Sequence, residues 1–180
     1  HVVKMAGHFL KDPAMVKVNG QKMEAPKIEQ EAREVRFDEK NKVLLEELGT
    51  REGSVLVFVK TKSRTDWLTE FLDGKGHSVE RIHGGRSQGQ RNHALMSLRK
   101  GRVRILVATD VAARGIDVDH VAHVINYDLP MVPEDYIHRI GRTGRAGKEG
   151  KALSLISPED RFAWRAIQGM LKRTAGPKAR

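Results

Sequence analysis

Short apolar runs alternate along the chain with longer stretches in which apolar residues recur every three or four positions. The four clearest runs cover residues 55–59, 105–108, 121–125 and 152–156. Their length and β-branched content are typical of strands, and the unbroken apolar character of the first two predicts strands that are covered on both faces. The alternation of strand and helix patterns predicts an α/β fold built on a parallel sheet.

Helical patterns and helix starts lie between these runs. Apolar residues at helical spacing form three faces: Val43, Leu44 and Leu48; Trp67, Leu68, Phe71 and Leu72; and Leu95 and Leu98. Ser87 with Gln90 three positions later predicts a capping box. Ser157, followed by Pro158 and by Asp160, predicts another helix start. We expect residues 31–37 to form a first strand and residues 38–48 to form the helix after it.

The two ends of the chain differ from this alternating core. Residues 1–30 mix Met, Lys, Pro and Gly with little periodicity, which predicts a connecting segment. At the other end we expect a helix through about residue 173, followed by a frayed basic tail over 174–180. One domain, residues 31–173, lies between them. Because the chain starts at His1 and not at a methionine, we expect it to be a piece of a longer protein, with processing as the alternative.

Charge and composition narrow the classes of function. Lys and Arg number 33 against 23 Asp and Glu, so the formal net charge is +10 on 180 residues. This surplus favours a polyanionic partner, nucleic acid first, with a diffuse solubilising charge as the alternative. The absence of cysteine excludes a disulfide scaffold, a zinc finger and a thiol nucleophile. No apolar run approaches the roughly 20 residues of a membrane span, so we expect no membrane partner.

Three arginines, Arg139, Arg142 and Arg145, follow one another at intervals of three in a stretch that also holds glycines. In a helix they would share one arc, where like charges repel unless an anion lies between them. Local salt bridges explain this arrangement poorly, because the stretch contains no acid. It therefore predicts a phosphate-facing cluster, since guanidinium groups bind phosphate oxygens bidentately. A solvated basic turn is the alternative.

Polar residues also follow the run at 105–108, where a buried strand ends. In open α/β sheets ligands bind beyond the carboxyl ends of the strands, and Thr109, Asp110, Arg114 and Asp117 all fall there. Asp117 could accept hydrogen bonds from a ribose and Thr109 could donate to a phosphate. A helix-capping role for Asp110 would explain only one of the four. Residues 83–91 add a weaker signal, a glycine-rich turn into a capped helix start that favours an anion, with a plain turn as the alternative.

One half of a nucleotide site is missing from the sequence. It contains no G-x-x-x-x-G-K-[ST] and no acidic pair after a strand to hold Mg²⁺. His120 and His123 have no third ligand nearby, so we expect no metal site. The sequence thus contains arginines suited to phosphoryl transfer but lacks the groups that bind the phosphates and the metal. This combination predicts that the chain supplies one part of a two-part site.

Four stretches in register resemble the C-terminal RecA-like domain of the DEAD-box RNA helicases of superfamily 2, in a bacterial subgroup. Residues 55–61 resemble motif IV, residues 88–91 match the Q-x-x-R element, residues 109–117 resemble motif V, and HRIGRTGR at 138–145 matches motif VI. The similarity covers residues 31–172, and residues 1–23 resemble the end of the preceding domain and the linker into this one. The resemblance implies a RecA-like open parallel sheet with helices on both faces.

The resemblance also implies an ATP-dependent enzyme that unwinds or remodels RNA duplexes, and it assigns roles to residues. Facing the γ-phosphate of ATP would be Arg142 and Arg145, the latter as the arginine finger. The ATP ribose would lie against Gly115 and Asp117. The RNA backbone would be held by Thr61, Gln88, Arg91 and Thr109. Coupling between the two domains would involve Arg114, His138 and Arg139.

ATP and Mg²⁺ are the implied cofactors, and the N-terminal RecA-like domain, absent from this sequence, would hold most of the Mg²⁺ contacts. RNA and that domain are the implied partners, and we expect the chain to be monomeric, cytoplasmic and inactive as an ATPase by itself. A second hypothesis is a stand-alone RNA-binding or annealing module that uses the basic face and tail. A DNA-directed relative within superfamily 2 is a third, disfavoured by the complete motif VI match.

Overall fold

A computed structural model of the protein describes residues 28–113, 121–144 and 149–174. In these ranges the strands are β1 (Ile28–Glu34), β2 (Val55–Phe58), β3 (Val79–Ile82), β4 (Ile105–Ala108), β5 (His123–Asn126) and β6 (Gly150–Ile156). The helices are α1 (Lys40–Thr50), α2 (Lys62–Asp73), α3 (Gln88–Arg99), α4 (Asp110–Ala113), α5 (Pro133–Ile140) and α6 (Arg161–Thr174). Short 3₁₀ turns at Phe37–Glu39 and Pro158–Asp160 precede α1 and α6.

The six strands form one sheet in the order β1-β6-β5-β2-β4-β3, and every neighbouring pair is parallel. From β2 the chain passes over β4 to reach β3, whereas from β4 it passes back over β2 to reach β5. The strand order therefore reverses beside β2. In open α/β sheets the crevice at such a reversal is where ligands bind.

Both faces of the sheet are buried, which explains the unbroken apolar runs. Along β2, Leu56 and Phe58 belong to one apolar cluster and Val55 and Val57 to the other. Helices α1 and α2 cover the second cluster, and α3, α5 and α6 contribute to the first. Successive strand residues point to opposite faces, so a strand covered on both sides needs apolar residues throughout. The predicted open parallel sheet with helices on both faces is confirmed.

Both predicted helix starts are confirmed. The Ser87 N–H donates to Gln90 Oε1 at 3.0 Å, and the Gln90 N–H donates to Ser87 Oγ at 3.3 Å. The Asp160 carboxylate accepts from the Ser157 N–H at 3.2 Å and from Ser157 Oγ at 2.7 Å. These side chains satisfy N–H groups that have no partner within the first turn of a helix.

The first strand lies three residues earlier than predicted, at Ile28–Glu34 instead of 31–37. It is an edge strand paired only with β6 in the described sheet, from Ile28 opposite Gly150 to Glu34 opposite Ile156. Most of its side chains are exposed, so apolar residues do not mark its limits. Residues 1–27 of the predicted connecting segment and residues 175–180 of the predicted tail lie outside the described residues.

The predicted terminal helix is confirmed as α6, which has 14 residues. No helix in the described ranges is long and apolar enough to span a membrane.

Arg104 joins the start of β4 to the carboxyl end of α1. Its guanidinium donates to Leu48 O at 2.8 Å and to Gly53 O at 3.1 Å, and also to Arg51 O. The last carbonyls of a helix carry partial negative charge and have no partner inside the helix. Arg104 therefore caps α1 from a strand that lies far away in sequence.

Candidate functional site

The predicted RNA-facing residues follow three neighbouring strands. Thr61 comes after β2, Thr109 directly after β4, and Gln88 and Arg91 in the helix after β3. These strands adjoin in the order β2-β4-β3, and the carboxyl ends of parallel strands meet at one edge. Because neighbouring strands lie about 4.8 Å apart, this row of residues is on the order of 10 Å wide at the sheet.

Thr61 stands at the amino end of α2. Its Oγ1 accepts the Arg64 N–H at 3.1 Å, and its carbonyl accepts Thr65 Oγ1 at 2.8 Å. The residue is exposed. It therefore caps α2 and lies at the positive end of a 12-residue helix, where anions are stabilised.

Gln88 and Arg91 occupy the first turn of α3 and are hydrogen-bonded to each other. Arg91 Nη2 donates to Gln88 Oε1 at 2.6 Å, and Gln88 Nε2 donates to Asn92 Oδ1 at 2.9 Å. Among the described residues, Arg91 Nε is buried without a hydrogen-bond partner. The pair places a guanidinium with spare donors at a second helix amino terminus.

Thr109 links β4 to α4. Its N–H donates to Ile82 O at 3.2 Å and its carbonyl accepts the Ala113 N–H at 3.0 Å. Only 7% of the residue is exposed. It reaches the same row as Thr61 and Arg91 but presents little surface to a ligand.

Arg139 is buried inside the domain, with 1% exposed. Its Nε and Nη2 donate to the two carboxylate oxygens of Asp110 at 2.6 and 2.7 Å. Its Nη1 donates to Asn126 Oδ1 at 3.1 Å and to Asp128 O at 2.6 Å, and the guanidinium lies 4.8 Å from the Phe58 ring centre. Arg139 therefore has an acid partner, but one that comes from another element, 29 residues away, and not from a local salt bridge.

Of the three arginines, Arg139 and Arg142 lie in the described residues, and they do not share one helix. Helix α5 ends at Ile140, so Arg139 lies in its last turn and turns inward, whereas Arg142 follows after the helix. Gly141 is the C-cap residue of α5, and its N–H donates to Ile137 O at 2.9 Å. Four other predicted site residues lie outside the described residues: Arg114, Gly115, Asp117 and Arg145.

A small cleft opens where α5 meets the carboxyl ends of β2 and β4. It is lined by Phe58, Asp110, Ala113, Asp135, His138, Arg139 and Arg142. His138 is exposed and Arg142 is half-buried, so both can reach a ligand placed there. Beneath them, the Arg139–Asp110 pair fixes α5 against α4.

The described lining of the cleft includes hydrogen-bond donors that can meet an anion. Both oxygens of Asp110 already bind Arg139. Across the described ranges no three His, Cys, Asp or Glu side chains come together in a group that could hold a metal ion. Arg142 and His138 offer hydrogen-bond donors, which fit phosphate oxygens.

A second charged cluster, which the sequence analysis did not predict, lies at the same edge after β5 and β6. Its members are Lys40, Lys60, Arg64, Asp128 and Asp160. Burial opposes ionisation of Asp160, yet hydrogen bonds from Ser157 and Lys40 outweigh it and lower the pKa from the ordinary 3.8 to about 2. Two patterns in the sequence included members of this cluster: the helix start at Ser157 includes Asp160, and the stretch 55–61 includes Lys60. Nothing local marks Lys40 as buried.

The chain is similar in sequence to known proteins. The family model of the helicase conserved C-terminal domain matches residues 39–147. The RNA helicase CrhR of Synechocystis is 45% identical over 174 residues, covering 96% of this chain and 35% of that protein. The DEAD-box ATP-dependent RNA helicase CshA of Bacillus subtilis is 42% identical over 173 residues, covering 96% of this chain and 35% of that protein. The chain thus spans about a third of the length of these relatives.

Solved structures give the same result. The crystal structure of a DEAD box protein from Methanococcus jannaschii is 40% identical, with a TM-score of 0.77 over 95% of this chain and 46% of that one. The SrmB protein of E. coli, solved with the regulator of ribonuclease activity A, is 39% identical, with a TM-score of 0.73 over 78% of this chain and 84% of that one. The sheet is thus the predicted RecA-like one, and the chain belongs to the DEAD-box RNA helicases, of which it carries the helicase conserved C-terminal domain.

Proposed function

We propose that the chain is the second RecA-like domain of an ATP-dependent enzyme that unwinds or remodels RNA duplexes. In this proposal it supplies part of the RNA-backbone site and the arginine finger. The proposal depends on one observation: the row that contains Thr61, Thr109 and Arg91 lies at the same edge of the sheet as the cleft lined by Arg142. The relatives named above are themselves called RNA helicases, which supports the same reading.

The RNA half of the site would bind phosphates and not bases. Thr61 and Gln88 stand at the amino ends of two 12-residue helices, and Arg91 adds a formal positive charge beside the second. Helix amino termini and guanidinium groups bind phosphate oxygens whatever the base sequence. An enzyme that remodels many duplexes needs such sequence-independent contacts.

The nucleotide half of the site would act on the γ-phosphate of ATP. Bound ATP supplies the phosphoryl group that is transferred to water. Arg142 and Arg145 would stabilise the negative charge that develops on it, while Gly115 and Asp117 would hold the ribose. Most contacts to Mg²⁺ and the phosphates would come from the N-terminal RecA-like domain. The isolated chain would then be inactive as an ATPase.

Coupling between the two halves would run through the buried ion pair. Arg139 holds α5, which carries His138, against Asp110 at the start of α4. The residues that follow α4 include Arg114, the other proposed coupling residue. A change at the nucleotide would thus reach the RNA-facing end of β4 through packed, hydrogen-bonded groups.

RNA binding is tested with Arg91→Gln and a matched control, Lys100→Gln, in the 180-residue chain. Both remove one positive charge from α3 or its end, but Lys100 lies about 14 Å further along the helix. Titration of a labelled single-stranded RNA across a salt series should show binding weakened about tenfold in Arg91→Gln and a shallower salt dependence. The control should stay within about twofold of the wild-type chain. Equal affinities for the two variants would contradict the RNA role.

The nucleotide role is tested by ATP turnover. The purified chain should show no RNA-stimulated hydrolysis of ATP. In the full-length parent, Arg145→Ala should lower kcat by about 10³ if Arg145 is the finger. Strong turnover by the isolated chain, or unchanged kcat in the variant, would contradict the proposal.

A stand-alone RNA-annealing module is the second candidate. Helix α6 favours it, because its sequence carries four cations and no acid. Annealing of complementary RNA strands by the chain without ATP would support this function, and absence of annealing at saturating chain would exclude it.

A further inference from the structure

We propose that Lys40 is a positioning residue for the loop between β2 and α2, residues 59–61, and that it acts through Asp128 and Asp160. The proposal rests on the proposed RNA role of this loop, which carries Thr61. Lys40 itself lies too deep to touch RNA, because only 1% of it is exposed.

Lys40 is the first residue of α1, and its ammonium group is surrounded by oxygen atoms of three residues. Nζ donates to Tyr127 O at 2.9 Å and to Asp160 Oδ2 at 2.9 Å, and lies 3.8 Å from Asp128 Oδ1. A charge so deeply buried is tolerated only when it is paired and hydrogen-bonded in this way. Lys40 thereby ties the start of α1 to the segments that follow β5 and β6.

The two carboxylates pass this constraint to the loop. Asp128 Oδ2 accepts the Lys60 N–H at 3.1 Å and lies 3.2 Å from Arg64 Nε. Asp160 Oδ1 lies 3.4 Å from Lys60 Nζ. The loop is therefore held at its backbone, at its lysine side chain and at the first turn of α2, which Thr61 caps.

The two buried carboxylates depend on Lys40 for their charge partner, because Lys60 is largely at the surface. Asp128 and Asp160 each have 6% of the side chain exposed, whereas Lys60 has 40% exposed and reaches only the outer side of the cluster. Without Lys40, the inner carboxylate oxygens would lose their cation and turn toward water or toward Lys60. The Lys60 N–H would then lose its fixed acceptor, and Thr61 would lose its fixed position at the sheet edge.

The test compares Lys40→Met with Lys42→Met in the 180-residue chain. Both remove one positive charge from the first turn of α1, but Lys42 is exposed. At a temperature where circular dichroism shows both variants folded, Lys40→Met should weaken binding of a single-stranded RNA oligonucleotide about fivefold relative to Lys42→Met. In amide hydrogen exchange followed by NMR, the Lys60 amide should exchange at least about tenfold faster in Lys40→Met. The Val59 amide, which donates to Ala108 O in the sheet, reports the change in global stability, and the tenfold increase at Lys60 is measured relative to it.

A merely structural role would lower stability without these two effects. If folded Lys40→Met binds RNA as Lys42→Met does, or if its Lys60 amide stays protected, the proposal is overturned. If Lys40→Met does not fold, Asp160→Asn replaces it with the same readouts, since it weakens the ion pairs of Asp160 with Lys40 and Lys60 and keeps the shape of the side chain. If Arg91→Gln leaves RNA binding unchanged, the proposed function fails separately, and Lys60 amide exchange alone decides whether Lys40 positions the loop.

Discussion

Replacing Arg139 by methionine is the sharpest test of how the cleft is built. The variant keeps much of the side-chain volume over Phe58 but removes every hydrogen bond of the guanidinium. Asp110 then loses its partner on both oxygens, and Asn126 Oδ1 and Asp128 O lose one donor each. The expected result is a strongly destabilised but still folded domain.

The magnitude follows from burial. Arg139 has 1% and Asp110 has 23% of the side chain exposed, so water replaces the lost bonds only at Asp110. Removing one partner of a buried ion pair costs about 3–5 kcal/mol, and we expect about 4 kcal/mol for Arg139→Met. The total stability of a domain is about 5–15 kcal/mol, so the variant can remain folded. For a domain of this size a loss of about 4 kcal/mol lowers Tm by roughly 8–16 °C.

Urea unfolding followed by circular dichroism and tryptophan fluorescence measures the change. Trp164 in α6 packs edge-on against Tyr136 in α5, with ring centres 5.9 Å apart, so its emission reports on the helix that carries Arg139. Arg165→Met, on the exposed side of α6, is the control and should change stability by less than about 0.5 kcal/mol.

A double-mutant cycle separates the ion pair from general damage. Asp110→Leu leaves the buried guanidinium unpaired and should cost about as much as Arg139→Met, whereas the double variant should cost no more than either single one. A loss below about 1 kcal/mol for Arg139→Met, or single losses that add within about 0.5 kcal/mol, would refute the reasoning.

Three further predictions concern stability. The pKa of Asp160 is lowered to about 2, so about 2 kcal/mol of stability present above pH 4 should disappear as pH falls toward 2, and Asp160→Asn should lack this dependence in acid unfolding. Arg104→Met should cost about 2 kcal/mol in urea unfolding, because three carbonyl partners are lost, while exposed Arg102→Met should be neutral. Gly150→Ala should cost about 2 kcal/mol through overpacking, while Gly169→Ala should add about 0.5 kcal/mol.

The predictions for Gly150→Ala and Gly169→Ala follow from the space around each glycine. A Cβ at Gly150 would lie 2.5 Å from Thr143 Oγ1 and would also meet the Gly144 backbone nitrogen, whereas a Cβ at Gly169 meets nothing within 4 Å. Equal effects of the two alanines would contradict this steric account. If the unfolding free energies of the wild type and Asp160→Asn fall in parallel with pH, Asp160 does not contribute to acid unfolding. If Arg104→Met leaves the unfolding free energy unchanged, water caps the end of α1 as well as Arg104 does.

Much of the architecture could be predicted because local patterns and burial coincide. Strands β2 and β4 are covered on both faces, so their residues had to be apolar throughout, and the runs at 55–59 and 105–108 marked them within one residue. The helix starts at Ser87 and Ser157 were found because their caps use only neighbouring residues. Edge strand β1 was misplaced, since pairing with β6 and not burial sets its limits.

The row at the sheet edge could be expected from the sequence only in part. Parallel strands all end at one edge, so polar residues after successive strands meet without any knowledge of side-chain contacts. Thr61, Gln88, Arg91 and Thr109 follow strands that adjoin. Their proximity therefore also depends on the strand order, in which β4 lies between β2 and β3, and the alternation of elements did not give that order.

The sequence by itself determined the fold class, the principal strands and helix starts, and which residue types line the edge of the sheet. Only the tertiary structure decided which charges are turned inward. The arginine spacing predicted a phosphate-facing cluster that includes Arg139, whereas the resemblance assigned it to coupling. In the structure Arg139 binds Asp110, 29 residues away, and Lys40 binds Asp160, 120 residues away. The physical reason is that local spacing carries no information on the partner of a long side chain, whereas desolvation forces each buried charge to find its acceptor wherever the folded chain brings one.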